Sequence, residues 1–106
     1  MLPLINILEE SKSITKVNLC DVSMQVYNYP GNGNSNARAL MHILKKNNSI
    51  VDLNLSNTGL DDDSIKEISD GIKSNSTLQY LNLSRNHFGE VGATFLSEAL
   101  QVEVSI

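Results

Sequence analysis

An acidic run is the first group of residues in this 106-residue sequence whose side chains could do chemistry. Asp61, Asp62 and Asp63 are consecutive, and carboxylate oxygens are preferred ligands of hard cations. The run stands directly before Ile65, where apolar residues begin to recur at helical spacing. Acidic side chains at that place accept hydrogen bonds from free backbone amides and complement the helix dipole. We therefore predict that the run caps a helix and holds no metal.

The single cysteine, Cys20, is a second candidate, because a thiolate can act as a nucleophile when a base lies within hydrogen-bond reach. The two histidines are His42, in a predicted helix, and His87, in a predicted turn. Neither position makes a dyad with Cys20, and these three residues supply no pair of zinc ligands at a known spacing. Gly31-x-Gly33 lacks the third glycine and the lysine of a phosphate-binding loop. We predict a protein that is not an enzyme and uses no cofactor.

Composition and charge exclude several further classes of protein. The chain has 8 Lys and Arg against 12 Asp and Glu, which gives a net charge of −4. Nucleic-acid binding needs a surplus of basic residues, and a membrane span needs about 20 consecutive apolar residues. A lone cysteine excludes a disulfide-stapled secreted domain, and the first residues lack the pattern of a signal peptide. We predict a single cytoplasmic domain over residues 1–106, with partners that are neither nucleic acid nor membrane.

An internal repeat organises the chain. Residues 50–56 and 78–84 share the pattern apolar-x-x-Leu-Asn-Leu-Ser with a period of 28, and a weaker copy lies at residues 14–20. The segments that precede the copies also align, with apolar residues four apart on one helical face. The repeat anchors are predicted at Ile14, Ile50, Leu78 and Ile106. The first unit is longer than the period, and its excess is predicted to form an exposed loop over residues 27–34, after which Ser35 or Asn36 caps a helix.

Asparagine and serine together make up 26 of the 106 residues, and eight of them recur in columns of the repeat, while others cluster in the predicted loop and at helix ends. Four Asn-x-Ser/Thr matches, at Asn47, Asn54, Asn75 and Asn82, have the form of a glycosylation site. Two of them lie in predicted strands, and the sequence carries no secretory signal. We therefore predict that these matches are products of the repeat and are not glycosylated.

Each repeat is predicted to consist of a short strand, a turn and a helix. Alternation places Leu81 and Leu83 on the buried face of one strand, with Tyr80, Asn82 and Ser84 on its other face. Neither the strand nor the helix can bury its apolar face alone, so successive units must stack. The predicted fold class is α/β, a right-handed solenoid of about three units behind a leading helix, with parallel strands inside and helices outside.

Residues 78–88 have the pattern LxxLxLxxNxF, which resembles the leucine-rich repeat signature. Residues 89–100 and the 28-residue period resemble the ribonuclease-inhibitor-like class of that family. The resemblance implies a mainly intracellular protein in which the side chain of Asn86 bonds the backbone of its turn. Thr58 holds this position in the second unit and can replace asparagine in part. Val22 holds it in the first unit and cannot, so the first turn is predicted to be built differently.

The exposed, concave face of the predicted sheet, together with the residues at the strand ends, is the predicted binding surface, and we call it the strand face. A polar face of mixed charge with a tyrosine and an arginine suits protein recognition, because these two residue types are frequent at interface hot spots. Ordinary repeat residues without a partner would give a similar face. A loop with Tyr27 and Tyr29 is the second predicted protein-binding site. The predicted binding residues of the strand face are Lys16, Asn18, Asp52, Asn54, Tyr80, Asn82, Ser84 and Arg85.

The function favoured by the sequence is a non-catalytic protein-interaction or scaffold module, one piece of a larger protein or assembly. The predicted array has no capping unit, and open sheet edges can pair with another chain or be buried in a complex. The family resemblance leaves three narrower possibilities open. They are a structural subunit of a cytoskeletal or ciliary complex, a fragment of an innate-immune-type receptor, and a GTPase-activating regulator.

Overall fold

Short parallel strands lie side by side in the order of the sequence, so that each unit of the repeat adds one strand to a sheet. Each strand has three residues, and every neighbouring pair is parallel. The strands are β1 (Lys16–Asn18), β2 (Asp52–Asn54), β3 (Tyr80–Asn82) and β4 (Glu103–Ser105).

The computed structural model describes residues 7–23, 35–99 and 103–105. The predicted loop over 27–34, with Tyr27 and Tyr29, lies outside the described residues, as does the predicted anchor Ile106. Statements below about what is absent refer to the described residues.

Helices alternate with the strands and form a second layer. A helical turn covers residues 7–10, and three longer helices pack in sequence order, α1 on α2 and α2 on α3. They are α1 (Ser35–Lys46), α2 (Asp62–Lys73) and α3 (Glu90–Ala99). The predicted α/β repeat fold, with parallel strands in one layer and helices in the other, is confirmed.

The start of α2 confirms that the acidic run caps a helix. Asp61 is the residue before the first turn, and its carboxylate accepts a hydrogen bond of 2.9 Å from the backbone N–H of Ser64. Asp62 and Asp63 stand in the first turn of the same helix, where negative charge complements the helix dipole. The α1 helix differs from expectation, because it already includes both Ser35 and Asn36, so neither predicted cap precedes its first turn.

The core lies between the two layers. Leucines of the strands and of the residues after them, such as Leu53, Leu55 and Leu81, are at most 2% exposed. They pack with apolar helix residues such as Leu40 and Ile68 in one cluster that runs through all units. Burying one such side chain contributes about 2 kcal/mol relative to leaving it in water, so stacking of units stabilises the fold.

The fourth strand corrects the predicted end of the array. The predicted period places the anchor of a fourth unit at Ile106, but β4 pairs Tyr80 with Glu103, so the strand begins before a full period has elapsed. In the second and third units an asparagine three positions before the anchor builds the connection into the strand, as Asn75 does before Leu78, and in the first unit the hydroxyl of Ser11 accepts the corresponding bonds. The period puts Glu103 at that place, and the chain there is already part of a strand.

Candidate functional site

The strand registers bring the predicted binding residues into columns. Lys16 pairs with Asp52 and Asp52 with Tyr80, while Asn18, Asn54 and Asn82 form a second row. Lys16 is exposed, Asp52 is half-buried, and Tyr80 is 52% exposed in spite of its size. The structure therefore places these predicted residues together on one face of the sheet.

The asparagine row of the strand face consists of the last residue of each of the strands β1, β2 and β3, and its side chains bond the backbone that follows. The side-chain Oδ1 atoms of Asn18, Asn54 and Asn82 each accept a hydrogen bond from the backbone N–H two positions later, at 2.9, 3.0 and 3.0 Å. The hydroxyl of Ser84 also donates to Asn82 Oδ1 at 2.7 Å. Such a bond turns the backbone away from the sheet direction. These predicted binding residues thus fix the shape of the surface.

Cys20 lies beside this row, and its surroundings are those of an ordinary thiol. It is half-buried, and its sulfur accepts a hydrogen bond of 3.1 Å from the hydroxyl of Ser56. His42 is exposed on α1, and His87 is exposed in the turn after β3. Across residues 7–23, 35–99 and 103–105, no three His, Cys, Asp or Glu side chains are grouped as a metal site.

Among the described residues, the non-glycine residues with a positive backbone φ angle all lie in one column at the strand ends. Asp21, Asn57 and Arg85 each stand three positions after a strand, with φ of 69°, 52° and 60°. All three are exposed, and the amide Nδ2 of Asn57 donates to Asp21 Oδ1 at 2.8 Å. Arg85, the predicted binding residue of this column, thus lies on an exposed rim of the strand face.

The turn after β3 is held by Asn86. Its Nδ2 donates to the carbonyls of Leu55 and Leu83, both at 2.9 Å, and its Oδ1 accepts from the backbone N–H of Thr58 and Leu60, both at 3.0 Å. The bonds to Leu55, Thr58 and Leu60 join the third unit to the second. The role that the family resemblance implied for this asparagine is confirmed.

The turns after β1 and β2 lack an asparagine at this position and are closed by fewer hydrogen bonds. Thr58 is 1% exposed, and its hydroxyl donates to the carbonyl of Leu55 at 2.8 Å, so it replaces one of the asparagine bonds. Val22 is 42% exposed, and its turn is closed by a backbone bond from its N–H to the carbonyl of Leu19. The first turn is therefore built differently, as predicted.

Comparison with known families agrees with this geometry. A family model described as "Leucine Rich repeat" matches residues 46–69 and 74–97, the two units that contain β2 with α2 and β3 with α3. The two matched segments are leucine-rich repeats, and the parallel strands and helices of the described residues agree with the fold of that family. A comparison with curated proteins found no match.

Two solved structures of other proteins have a similar fold. The structure entitled "Leiomodin-1 Actin-Binding Site 2 (ABS2)" has a TM-score of 0.74 at 24% identity and covers 90% of this chain and 51% of its own. A tropomodulin C-terminal domain from Caenorhabditis elegans has a TM-score of 0.74 at 20% identity and covers 92% and 55%. The repeat chain spans about half the length of these structures. At this identity the likeness shows the fold.

Two asparagines that the sequence offers only as chance matches to a glycosylation site, the buried Asn47 and the half-buried Asn75, are structural elements of the repeat. Asn47 is 4% exposed, and its Nδ2 donates to the carbonyls of Leu8 at 2.6 Å and Ser11 at 3.2 Å. Its Oδ1 accepts from the backbone N–H of Ser49 at 2.8 Å and of Ile50 at 2.7 Å. The signal in the sequence is the position, three places before a repeat anchor.

Asn75 repeats this arrangement one unit later. Its Nδ2 donates to the carbonyls of Leu44 and Asn47, and its Oδ1 accepts from the N–H groups of Thr77 and Leu78. At the amino ends of β2 and β3, an asparagine therefore joins each unit to the one before it, together with the hydroxyl of Ser49 or Thr77.

A second contact between units was also not foreseen. The carboxylate of Asp62, in the first turn of α2, accepts hydrogen bonds from the backbone N–H of Gly89 at 2.8 Å and of Gly92 at 2.9 Å. These amides stand at the start of α3, so Asp62 caps the next helix of the repeat. The acidic run therefore caps two helices.

The outer helix layer carries a surface ion pair and a cation–π contact. Arg38 on α1 lies 3.7 Å from Glu67 on α2, and the Lys66 ammonium lies 5.7 Å from the centre of the Phe95 ring on α3. Exposed pairs of this kind contribute little to stability. No described helix is long and apolar enough to cross a membrane.

Proposed function

We propose that this leucine-rich repeat chain is a protein-binding module whose partner contacts the strand face. The observation that carries the proposal is Tyr80. Its large aromatic side chain is 52% exposed in the row between Asp52 and Glu103, on a face that is otherwise polar. An exposed aromatic residue within a polar rim is typical of an interaction site, and tyrosine is frequent among residues that dominate binding.

We propose actin, within a cytoskeletal assembly, as the partner to test first. The support is the likeness in fold to a structure whose title names an actin-binding site and to a tropomodulin domain. Paired residues of β2 and β3 are one repeat period apart, which fits the ribonuclease-inhibitor-like class of repeats. A cytoplasmic location would suit both the lone cysteine and an actin partner. No catalytic role is proposed for Cys20.

The experiment measures binding of the purified chain to fluorescently labelled monomeric actin by anisotropy, and to filaments by co-sedimentation. We expect saturable binding to at least one form. Tyr80→Ala should weaken it about tenfold or more, because truncating a hot-spot residue costs about 2 kcal/mol of binding free energy. Val91→Ala is the matched control, since Val91 on α3 is 57% exposed and lies outside the strand face. Absence of saturable binding to both forms would refute actin as the partner.

The surface itself can be mapped without assuming actin. Lysine-specific crosslinking in native extract, followed by mass spectrometry, compares Lys16 on the strand face with Lys45 and Lys73 on the helix layer, all three exposed. We expect crosslinks to one partner to concentrate at Lys16. Crosslinks that concentrate at the helix lysines would contradict the strand face as the binding surface.

A further inference from the structure

Arg85 occupies a backbone conformation that its side chain does not favour. Its φ of 60° lies in the left-handed region, where the Cβ atom of an L-residue comes too close to the following carbonyl oxygen. Asp21 and Asn57 hold the same place in the earlier units, and short polar side chains tolerate this region because they can hydrogen-bond locally. Asn57 also donates to the carboxylate of Asp21 in the preceding unit. An arginine has no comparable compensation.

The backbone around Arg85 is fixed from both sides. The carbonyl of Ser84 accepts from the N–H of Asn57 at 3.0 Å and from Asn86 Nδ2 at 3.3 Å. Asn86 is itself held by its bonds to the neighbouring turn. The scaffold therefore imposes the left-handed conformation on whichever residue stands at position 85. Residues kept in such conformations are concentrated at functional sites, where the strain is part of the function.

The side chain of Arg85 is available for an external partner. It is exposed, and among the described side chains no carboxylate lies within 4.0 Å of its guanidinium, the distance that defines the ion pairs of this chain. Arg38, the other arginine of the sequence, lies 3.7 Å from Glu67. The two arginines thus differ: one is engaged within the helix layer, and the other stands on the rim of the strand face.

We propose that Arg85 recognises a carboxylate in an acidic segment of the protein partner, and that the strained conformation is retained because it presents the guanidinium on this rim. The proposal rests on the proposed function, since it assigns a specificity to the same face. A guanidinium offers a planar pair of donors that matches a carboxylate. The net charge of −4 opposes broad polyanions such as nucleic acid, which leaves recognition of a local acidic group.

The first test uses the two arginines as signal and internal control. The side-chain Nε–Hε resonances of Arg38 and Arg85 are followed by NMR while a peptide of four glutamates with neutral flanks is added. A peptide of four glutamines is the uncharged counterpart. We expect a saturable shift of the Arg85 resonance with the acidic peptide only, and little change at Arg38. Equal shifts of both arginines, or no shift at millimolar peptide, would overturn the proposal.

The second test separates strain from recognition. Arg85→Asn should raise the midpoint of thermal unfolding by about 4–8 °C, because asparagine suits the left-handed conformation, and should abolish the response to the acidic peptide. Arg85→Lys keeps the charge and the strain, so it should leave the midpoint unchanged and weaken the response several-fold. An unchanged midpoint in Arg85→Asn would remove the strain argument.

The proposal and the proposed function fail in different ways. If actin binds wild type and Arg85→Asn equally, while Tyr80→Ala weakens the complex, the strand face stands and the role of Arg85 is wrong. If actin binds neither protein while the acidic peptide shifts Arg85 alone, the choice of actin is wrong and the recognition by Arg85 stands.

Discussion

At the amino ends of β2 and β3, an asparagine three positions before the anchor bonds backbone groups of two units, whereas at the carboxyl ends a polar column faces water. Asn47 is 4% exposed, with hydrogen bonds from both its amide nitrogen and its oxygen. Asn57 and Arg85, at the carboxyl ends, are exposed. Both groups recur at the repeat spacing and consist of polar residues. Burial and bonding separate the residues that hold the solenoid together from those that a partner can reach.

This difference predicts opposite consequences for substitutions at the two ends. Removing a buried, multiply bonded side chain leaves its former partners without hydrogen bonds, and each such group costs about 1–3 kcal/mol. Removing an exposed side chain leaves no buried group without a partner, so its main effect should be on binding. Substitutions at the two ends can test this division, beginning with the largest expected effect.

Asn47→Ala should lower the free energy of unfolding by about 4 kcal/mol, because it leaves the carbonyl of Leu8 and the N–H of Ile50 without partners inside the structure. The measurement is urea unfolding followed by circular dichroism. Asn48→Ala is the matched control, since Asn48 is the adjacent residue and is exposed; we expect it to change stability by less than about 0.5 kcal/mol. Similar losses in both variants would contradict the division between the ends.

Asn86→Ala tests a half-buried, multiply bonded side chain that lies close to the exposed column. It should cost about 3 kcal/mol, because Asn86 bonds four backbone groups of the second and third units. Asn86→Thr should cost about half as much, since Thr58 already shows that a hydroxyl supplies one of these bonds. The same unfolding experiment compares the two variants. If threonine is as damaging as alanine, the two turns are not equivalent.

The sequence predicts the parts of this molecule that depend on one unit at a time. Alternation within residues 80–84 predicts a buried and an exposed face, and the repeat period predicts the register of β2 with β3. The asparagine position of the family signature predicts the bonds of Asn86. These features follow from local spacing, and every unit repeats them.

Features that depend on the contact between units are harder to predict. Asn47 and Asn75 share a position before the anchors, but their buried carbonyl partners belong to the preceding unit. The carboxylate of Asp62 reaches the amides of the next helix, a full unit further along the chain. The strain at Arg85 arises because the neighbouring turn fixes its backbone.

Gly92→Ala probes the contact of Asp62 with the next helix. A Cβ atom at Gly92 would lie 2.7 Å from Asp62 Oδ1 and 3.0 Å from the Cβ of Phe88, so the carboxylate must leave both amides that it caps. Loss of a cap costs about 1–2 kcal/mol, and the gain in helix propensity offsets part of it. By unfolding in urea, we expect a net loss of about 1 kcal/mol.

Gly89→Ala is the control for this substitution. A Cβ atom at Gly89 meets no atom within 4 Å, and its φ angle is not positive. It should be neutral or stabilising by up to about 1 kcal/mol, because alanine reduces the entropy of the unfolded chain. Equal behaviour of the two glycine variants would show that Asp62 does not cap α3.

Ser69 marks the limit of the rule that buried polar groups in this solenoid are bonded. Its residue is 1% exposed on α2, and its hydroxyl oxygen has no hydrogen-bond partner. A buried hydroxyl without a partner is destabilising, so Ser69→Ala should raise the free energy of unfolding by about 1 kcal/mol. Ser97 holds the equivalent position of the next unit on α3, is exposed, and donates to the carbonyl of Thr94 at 2.8 Å; Ser97→Ala should change little. A loss of stability in Ser69→Ala would mean that its hydroxyl does find a partner. Every buried polar side chain among the described residues would then be hydrogen-bonded.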